Sequence, residues 1–146
     1  MGTKKVVLDT SVFVAGIIGH GTSKTILSEI IDCSIVPILC REILEEYIRV
    51  IHYPKIVRKI SLNDAYSIID AMYKKAEYAA YEDKIHVCRD PEDDKFVELS
   101  AEKSAPLITL DNDILDLRDE EKLLKVNTKQ IRILRPEEFL QNYSGD

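Results

Sequence analysis

Short, largely apolar runs recur along this chain. They are Val6-Val7-Leu8, Ile35-Val36-Pro37-Ile38-Leu39, Pro106 to Leu110, and Ile131-Arg132-Ile133-Leu134. Each is strand-length, and they are apolar enough to be buried on both faces. Between them lie stretches with helical spacing. Strands alternating with helices in this way argue for an α/β fold built on a parallel sheet covered on both sides.

Residues 4–9 read as the first strand, followed by a loop from Gly16 to Gly21 and a helix from Ser23 to Asp32. Pro37 puts the second strand near an edge or a bulge. Residues 41–51 form an amphipathic pattern with Ile43, Leu44, Tyr47, Ile48 and Ile51 inward, which Pro54 interrupts. Ser61 with Asp64 resembles a capping box, opening a long helix to about Ala79. Ile85-His86-Val87 reads as a short strand. Asp90-Pro91 is a strong helix opening, an N-cap acid and then proline, for a helix to about Lys103. Pro136 opens the terminal helix. With 146 residues, one domain over 1–146 is expected.

The net charge is −6, unevenly spread. Residues 82–121 hold 14 acids and 5 bases, and the rest of the chain is net +3. Such a protein is a poor passive binder of nucleic acid. An acidic centre in a mildly basic surround can still act on nucleic acid if cations bridge carboxylate to phosphate. Cys33, Cys40 and Cys88 are odd in number and form no C-x-x-C, which predicts reduced thiols in a cytoplasmic protein. Met1 to Lys5 runs straight into the first strand, with no secretory leader expected, and no apolar run is long enough for a membrane span. His20, His52 and His86 have no ligand-like spacing and read as structural or surface residues.

Four acids fall where such a fold exposes side chains at one end of its sheet: Asp9, Glu46, Asp94 and Asp111. Asp9 closes the first strand and Asp111 follows the third apolar run. Asp111-Asn112-Asp113 could also be a polar turn, and Asp9 an N-cap. Asp90 and Asp93 read as cap and first-turn acids favoured by the helix dipole; Asp94 lies one residue deeper. Four carboxylates about 5 Å apart would repel by roughly 3 kcal/mol per pair at a dielectric near 20. Such a cluster needs a divalent ion, a trapped proton or a basic neighbour. Carboxylates and water, without His or Cys, favour Mg²⁺ or Mn²⁺ over Zn²⁺.

These segments resemble the PIN-domain family of metal-dependent ribonucleases. Val7-Leu8-Asp9-Thr10-Ser11-Val12-Phe13 is similar to the family's opening strand and first acid. Glu42-Ile43-Leu44-Glu45-Glu46-Tyr47, with Pro54 after it, resembles the helix of the second acid, Glu46, with Glu45 one residue away. Cys88-Arg89-Asp90-Pro91-Glu92-Asp93-Asp94-Lys95-Phe96 matches the third block, with Asp94 aligned to the catalytic acid. Leu107-Ile108-Thr109-Leu110-Asp111 resembles the closing Thr-x-Asp element, with Asp113 a fifth acid. The Arg-Asp-Pro-x-Asp-Asp pattern is most like the branch of toxins from toxin–antitoxin pairs; Leu110 stands where that branch often has Gly.

The resemblance implies a three-layer α/β/α sandwich with a central, mostly parallel sheet, and endoribonuclease activity with Mg²⁺ or Mn²⁺. One ion at Asp9, Asp94, Asp111 and Asp113 would activate water, and a second near Glu46 would stabilise the leaving oxygen. Thr10, Ser11, Thr109 and Asp93 would orient carboxylates or water. It also implies a homodimer and an antitoxin partner; the apolar and basic stretch around Ile51 to Ile60, with the long helix after it, is our candidate for the self-contact surface. Lys55, Arg58 and Lys59 are candidates for RNA contact. Lys74 and Lys75, then Lys122, Lys125, Lys129 and Arg132, are further basic sets. Seven Tyr, three Phe and no Trp offer no evident base-stacking platform. The rival readings are an Asp-based phosphoryl-transfer domain and a PIN-like module that binds RNA or protein without cutting. In the first, a phosphatase would want an acid where Ser11 stands.

Overall fold

A computed structural model describes residues 4–144 of the chain. Met1 to Thr3, where no leader is expected, lie outside the described residues. The strands are β1 (Lys4–Leu8), β2 (Ile35–Leu39), β3 (Glu77–Tyr78), β4 (Leu107–Ile108), β5 (Leu123–Val126) and β6 (Lys129–Leu134). The helices are α1 (Thr10–Ile18), α2 (Gly21–Ile31), α3 (Arg41–Ile51), α4 (Pro54–Val57), α5 (Leu62–Lys75), α6 (Asp94–Lys103), α7 (Asn112–Leu115) and α8 (Pro136–Ser144).

The strands form one sheet in the order β3-β2-β1-β4-β6-β5. All pairings are parallel except the β5–β6 hairpin. This is the mostly parallel α/β architecture that the apolar runs predict. β1→β2 and β3→β4 step across the sheet in opposite directions, so right-handed connections put their helices on opposite faces. α6 packs across β1, β2, β4 and β6, whereas α2 touches β2, α5 and α8. The core joins Val6, Val7 and Leu8 of β1 to Phe13, Ile26, Ile43, Phe96, Ile108 and Ile133, all at most 1% exposed.

Several elements depart from the sequence reading. Residues 10–18 are helical, so Gly16 to Ile18 belong to α1 and not to a loop. Gly16 is required there by close packing: a Cβ would meet Leu27 Cδ1 at 2.5 Å and the Ser23 carbonyl at 2.9 Å. α5 stops at Lys75, and Glu77–Tyr78 peels off as the edge strand β3. The Ser61 cap holds, its hydroxyl accepting from Asp64 N at 3.3 Å. β2 lies inside the sheet and not at its edge; β3 pairs only with Ile38 and Leu39, so Pro37 lies beyond that ladder.

Ile85-His86-Val87 is not a strand. The amides around it go to buried carboxylates of α6 and not to a neighbouring strand. Glu98 accepts from Glu82 N and Lys84 N, both at 2.7 Å, and Asp94 accepts from Val87 N at 3.0 Å and Cys88 N at 2.8 Å. The segment is held extended on one face of α6 by two carboxylates one helical turn apart. β5 ends in a tight turn at Asn127 that leads into β6; its φ of 55° is left-handed and easily adopted by asparagine.

Candidate active site

The site forms where β1 and β4 end side by side. Strand order reverses between them, the crevice position for ligands in open parallel sheets. Asp9 leaves β1 and caps α1 at once. It is 4% exposed, and its carboxylate accepts from Ser11 N at 2.5 Å and from the Thr109 hydroxyl. Burial pushes its pKa up to about 6, against those hydrogen bonds, and the Asp111 charge adds to the rise. Thr109 is fully buried and also accepts from Asp111 N at 3.0 Å. The Ser11 hydroxyl accepts from Leu110 N at 3.0 Å. Thr109 and Ser11 therefore stitch the two strand ends together around Asp9.

Glu46 enters from the middle of α3 and is 9% exposed, while Glu45 points outward. One Glu46 oxygen accepts from the Thr10 hydroxyl, and the other from Lys95 Nζ at 2.6 Å. Tyr47 fixes α3 beneath the site. It is fully buried, stacks on Phe13 at 4.0 Å between centroids, and donates to the Leu8 carbonyl at 2.5 Å.

The two adjacent acids of the third block have different surroundings. A 3-10 turn, Pro91–Asp93, opens α6. Asp93 is half-buried, and its pKa rises to about 7 through burial and the surrounding charges of Asp9, Asp90, Asp111 and Glu46. Asp94 is 2% exposed, with one oxygen spent on the Val87 and Cys88 amides and the other 3.9 Å from His86 Nδ1. A one-residue step turns a side chain by about 100° around a helix. That is why Asp93 faces the acidic centre and Asp94 anchors the neighbouring segment.

Asp111 caps α7, accepting from Asp113 N at 2.9 Å, and remains beside the cluster. Asp113 is exposed and lies 3.5 Å from Arg89. Lys55, Arg58 and Lys59 are exposed on and just after α4, past the end of α3, with no carboxylate of the described residues within 4 Å. The cation nearest the site on that side is Arg49, 3.8 Å from Glu46.

A PIN domain model matches residues 5–113. The chain belongs to the PIN domain family. An uncharacterized protein of Methanocaldococcus jannaschii is 33% identical over 141 residues, 95% of this chain and 91% of that protein. The chain is also similar to VapBC2 from Rickettsia felis, in a crystal structure bound to a DNA fragment from its promoter. That likeness has a TM-score of 0.47 and 13% identity, and covers 74% of this chain and 89% of that one.

PIN domains are generally nucleases and typically use divalent metal ions. Membership sets aside the Asp-based phosphoryl-transfer reading. The donors here fit a hard cation in kind: oxygen only, with Asp9 raised by burial and the Asp111 charge, and Asp93 by burial and the charges of Asp9, Asp90, Asp111 and Glu46. No ready-made cage exists: among the described residues no three His, Cys, Asp or Glu side chains converge to hold a metal. Hydrogen bonds already tie Asp9 to Thr109 and Ser11, and Glu46 to Thr10 and Lys95.

Lys95, which the sequence reading did not single out, is paired with Glu46 at 2.6 Å. It is 5% exposed, within a helix buried continuously from Asp94 to Ala101. In the sequence it looks like any lysine beside acids. The available signal was its place between Asp94 and Phe96, in a helix whose apolar residues leave little wet surface. Beside Glu46, the Lys95 ammonium borders a cavity of about 160 Å³ that Arg49, Tyr81 and Glu92 also line.

Proposed function

We propose that this PIN domain is a metal-dependent endoribonuclease, with Asp9, Asp93 and Asp111 as the residues that would hold Mg²⁺ or Mn²⁺. The observation that carries this reading is the pairing of two raised carboxyls, Asp9 at about 6 and Asp93 at about 7, each lifted by burial and by neighbouring acids. Neutral pH leaves such a pair short of positive charge, and a divalent ion supplies it. When bound, the ion supplies a Lewis acid for the phosphoryl oxygen and a water acidic enough to attack at neutral pH.

The chain's own residues supply the positioning. Thr109 and Ser11 hold the Asp9 oxygens in place, and Thr10 holds Glu46. Asp94 keeps the segment before Asp90 against α6, which fixes the approach to Asp93. Arg49 and Lys95 are the cations nearest the centre for a phosphate backbone, with Lys55, Arg58 and Lys59 farther out. A homodimer, an antitoxin that covers the site, and a cytoplasmic location belong to the same reading; they rest on the Arg-Asp-Pro-x-Asp-Asp pattern and the cysteine usage.

The test is cleavage of a mixed-sequence RNA by purified protein. Activity appears with Mn²⁺ or Mg²⁺ and vanishes in EDTA, and equal activity in EDTA rejects the reading. Asp9→Asn and Asp93→Asn abolish cleavage in folded protein. Asp94→Asn weakens the fold around 85–88 and retains cleavage. If Asp94→Asn kills cleavage while Asp93→Asn does not, the alignment of the third acid reverts to Asp94. The Lys95–Glu46 ion pair favours a second reading, an RNA- or protein-binding module without cleavage. RNA binding in EDTA, with no cleavage under any divalent ion, is its outcome.

A further inference from the structure

Lys95 occupies the carboxylate, Glu46, near which the family resemblance implies a second metal ion. Its Nζ donates to Glu46 Oε1 at 2.6 Å and to the Glu92 carbonyl at 2.5 Å, and its side chain is 6% exposed. The other charged groups around it are the Glu92 carboxylate at 3.9 Å, and Arg49, Glu42 and Glu45, which line the same cavity. Thr10 takes the remaining oxygen of Glu46. Both oxygens of this acid are committed, one of them to a full positive charge.

A buried ammonium is expensive unless it is paired, and Glu46 is the carboxylate that pairs this one. An ion at Glu46 would have to expel Lys95 or share the carboxylate with it, cation against cation. The other acids, Asp9, Asp93 and Asp111, carry no lysine or arginine within 4 Å among the described residues. Lys95 also lines a small cavity with Arg49 and three acids, Glu42, Glu45 and Glu92, so positive charge at this point is enclosed by carboxylates.

We propose that Lys95 stands in for a second metal ion, so that the centre binds a single divalent cation and the ammonium supplies the other positive charge while holding Glu46 in place. This rests on the metal-dependent reading of the site.

The experiment is calorimetric titration of the full chain with Mn²⁺ alone, without RNA, at fixed pH, paired with Mn²⁺ electron paramagnetic resonance. Wild type takes up one ion per chain. Lys95→Met frees Glu46 and raises the count to two; adding Glu46→Gln returns it to one. Two ions in the wild type overturn the proposal and leave the metal reading standing. One ion in Lys95→Met, bound as in wild type, also overturns it, since a merely structural lysine would leave the count unmoved. No uptake by wild type removes the metal reading itself, and the proposal with it. If Lys95→Met does not fold, Lys95→Gln, neutral and able to hydrogen-bond Glu46, takes its place with the same two outcomes.

Discussion

Asp9 has two duties that pull against each other. As the cap of α1 it needs to accept from Ser11 N, and as a site acid it needs to stay charged while buried. Its pKa moves from 3.8 to about 6, so the folded protein binds more protons than the unfolded one between those values. Stability of the metal-free protein therefore falls as pH rises through that window. Asp93, half-buried and raised to about 7, pushes the same way. Asp9→Asn, which can still cap α1, should stabilise the metal-free protein at pH 7 by on the order of 1–3 kcal/mol and leave it unchanged below pH 4. Urea denaturation at the two pH values checks this; equal effects at both refute it. Tyr47→Phe leaves the Leu8 carbonyl without its buried donor and costs on the order of 1–2 kcal/mol in the same assay. At this scale the sequence was legible for Asp9 and Glu46, whose neighbours Leu8 and Tyr47 mark the buried side. It was ambiguous at Asp93 and Asp94, because a single helical step decides which acid faces in. At Lys95 only its place between Asp94 and Phe96 hinted at burial, and its partner, 49 positions away, could not be read.

α6 does more than cover the sheet. Its carboxylates at 94 and 98 take four amides from the segment that precedes it, and so replace the strand expected at Ile85-His86-Val87. Glu98→Gln keeps the shape and removes the charge. It should speed hydrogen exchange at the Glu82 and Lys84 amides and cost on the order of 1–3 kcal/mol, while exchange within β1 keeps its ranking as the slowest. Protection unchanged at Glu82 and Lys84 would show that the segment is held by other means. Periodicity could not reveal this element. A run of Ile-His-Val is strand-like by residue type, and only the buried acids four apart on α6 decide where its amides go. β5 escaped for a related reason: it is a short, half-exposed edge strand, and its clearest signal is the turn residue Asn127 and not an apolar run.

Over the whole molecule, two opposed proton balances set the pH range of the fold. Glu138 joins α8 to the β5–β6 end. Burial alone would raise it, but hydrogen bonds from Arg118, the Arg135 amide and Lys122 hold its pKa at about 2. Its stabilisation is present above 4.5 and is lost as pH falls toward 2. With Asp9 and Asp93 acting from the other side, the metal-free protein should have its highest melting temperature between about pH 4 and 5. Millimolar Mn²⁺ should raise the melting temperature at pH 7, and Asp93→Asn should blunt that rise. A thermal-shift series across pH, with and without Mn²⁺, reads both; an Mn²⁺ effect identical in Asp93→Asn refutes the second. The sheet itself was the most legible feature, because strands buried on both faces leave a composition that solvent-facing elements cannot imitate.

The Thr109 hydroxyl that orients Asp9 comes from a residue one hundred positions later. A nascent chain therefore has no assembled acidic pocket until synthesis has passed β4 and the middle of the sheet has closed. Its hazard to nearby transcripts, on the function proposed, is switched on by completion of the fold, and a truncated product would be harmless.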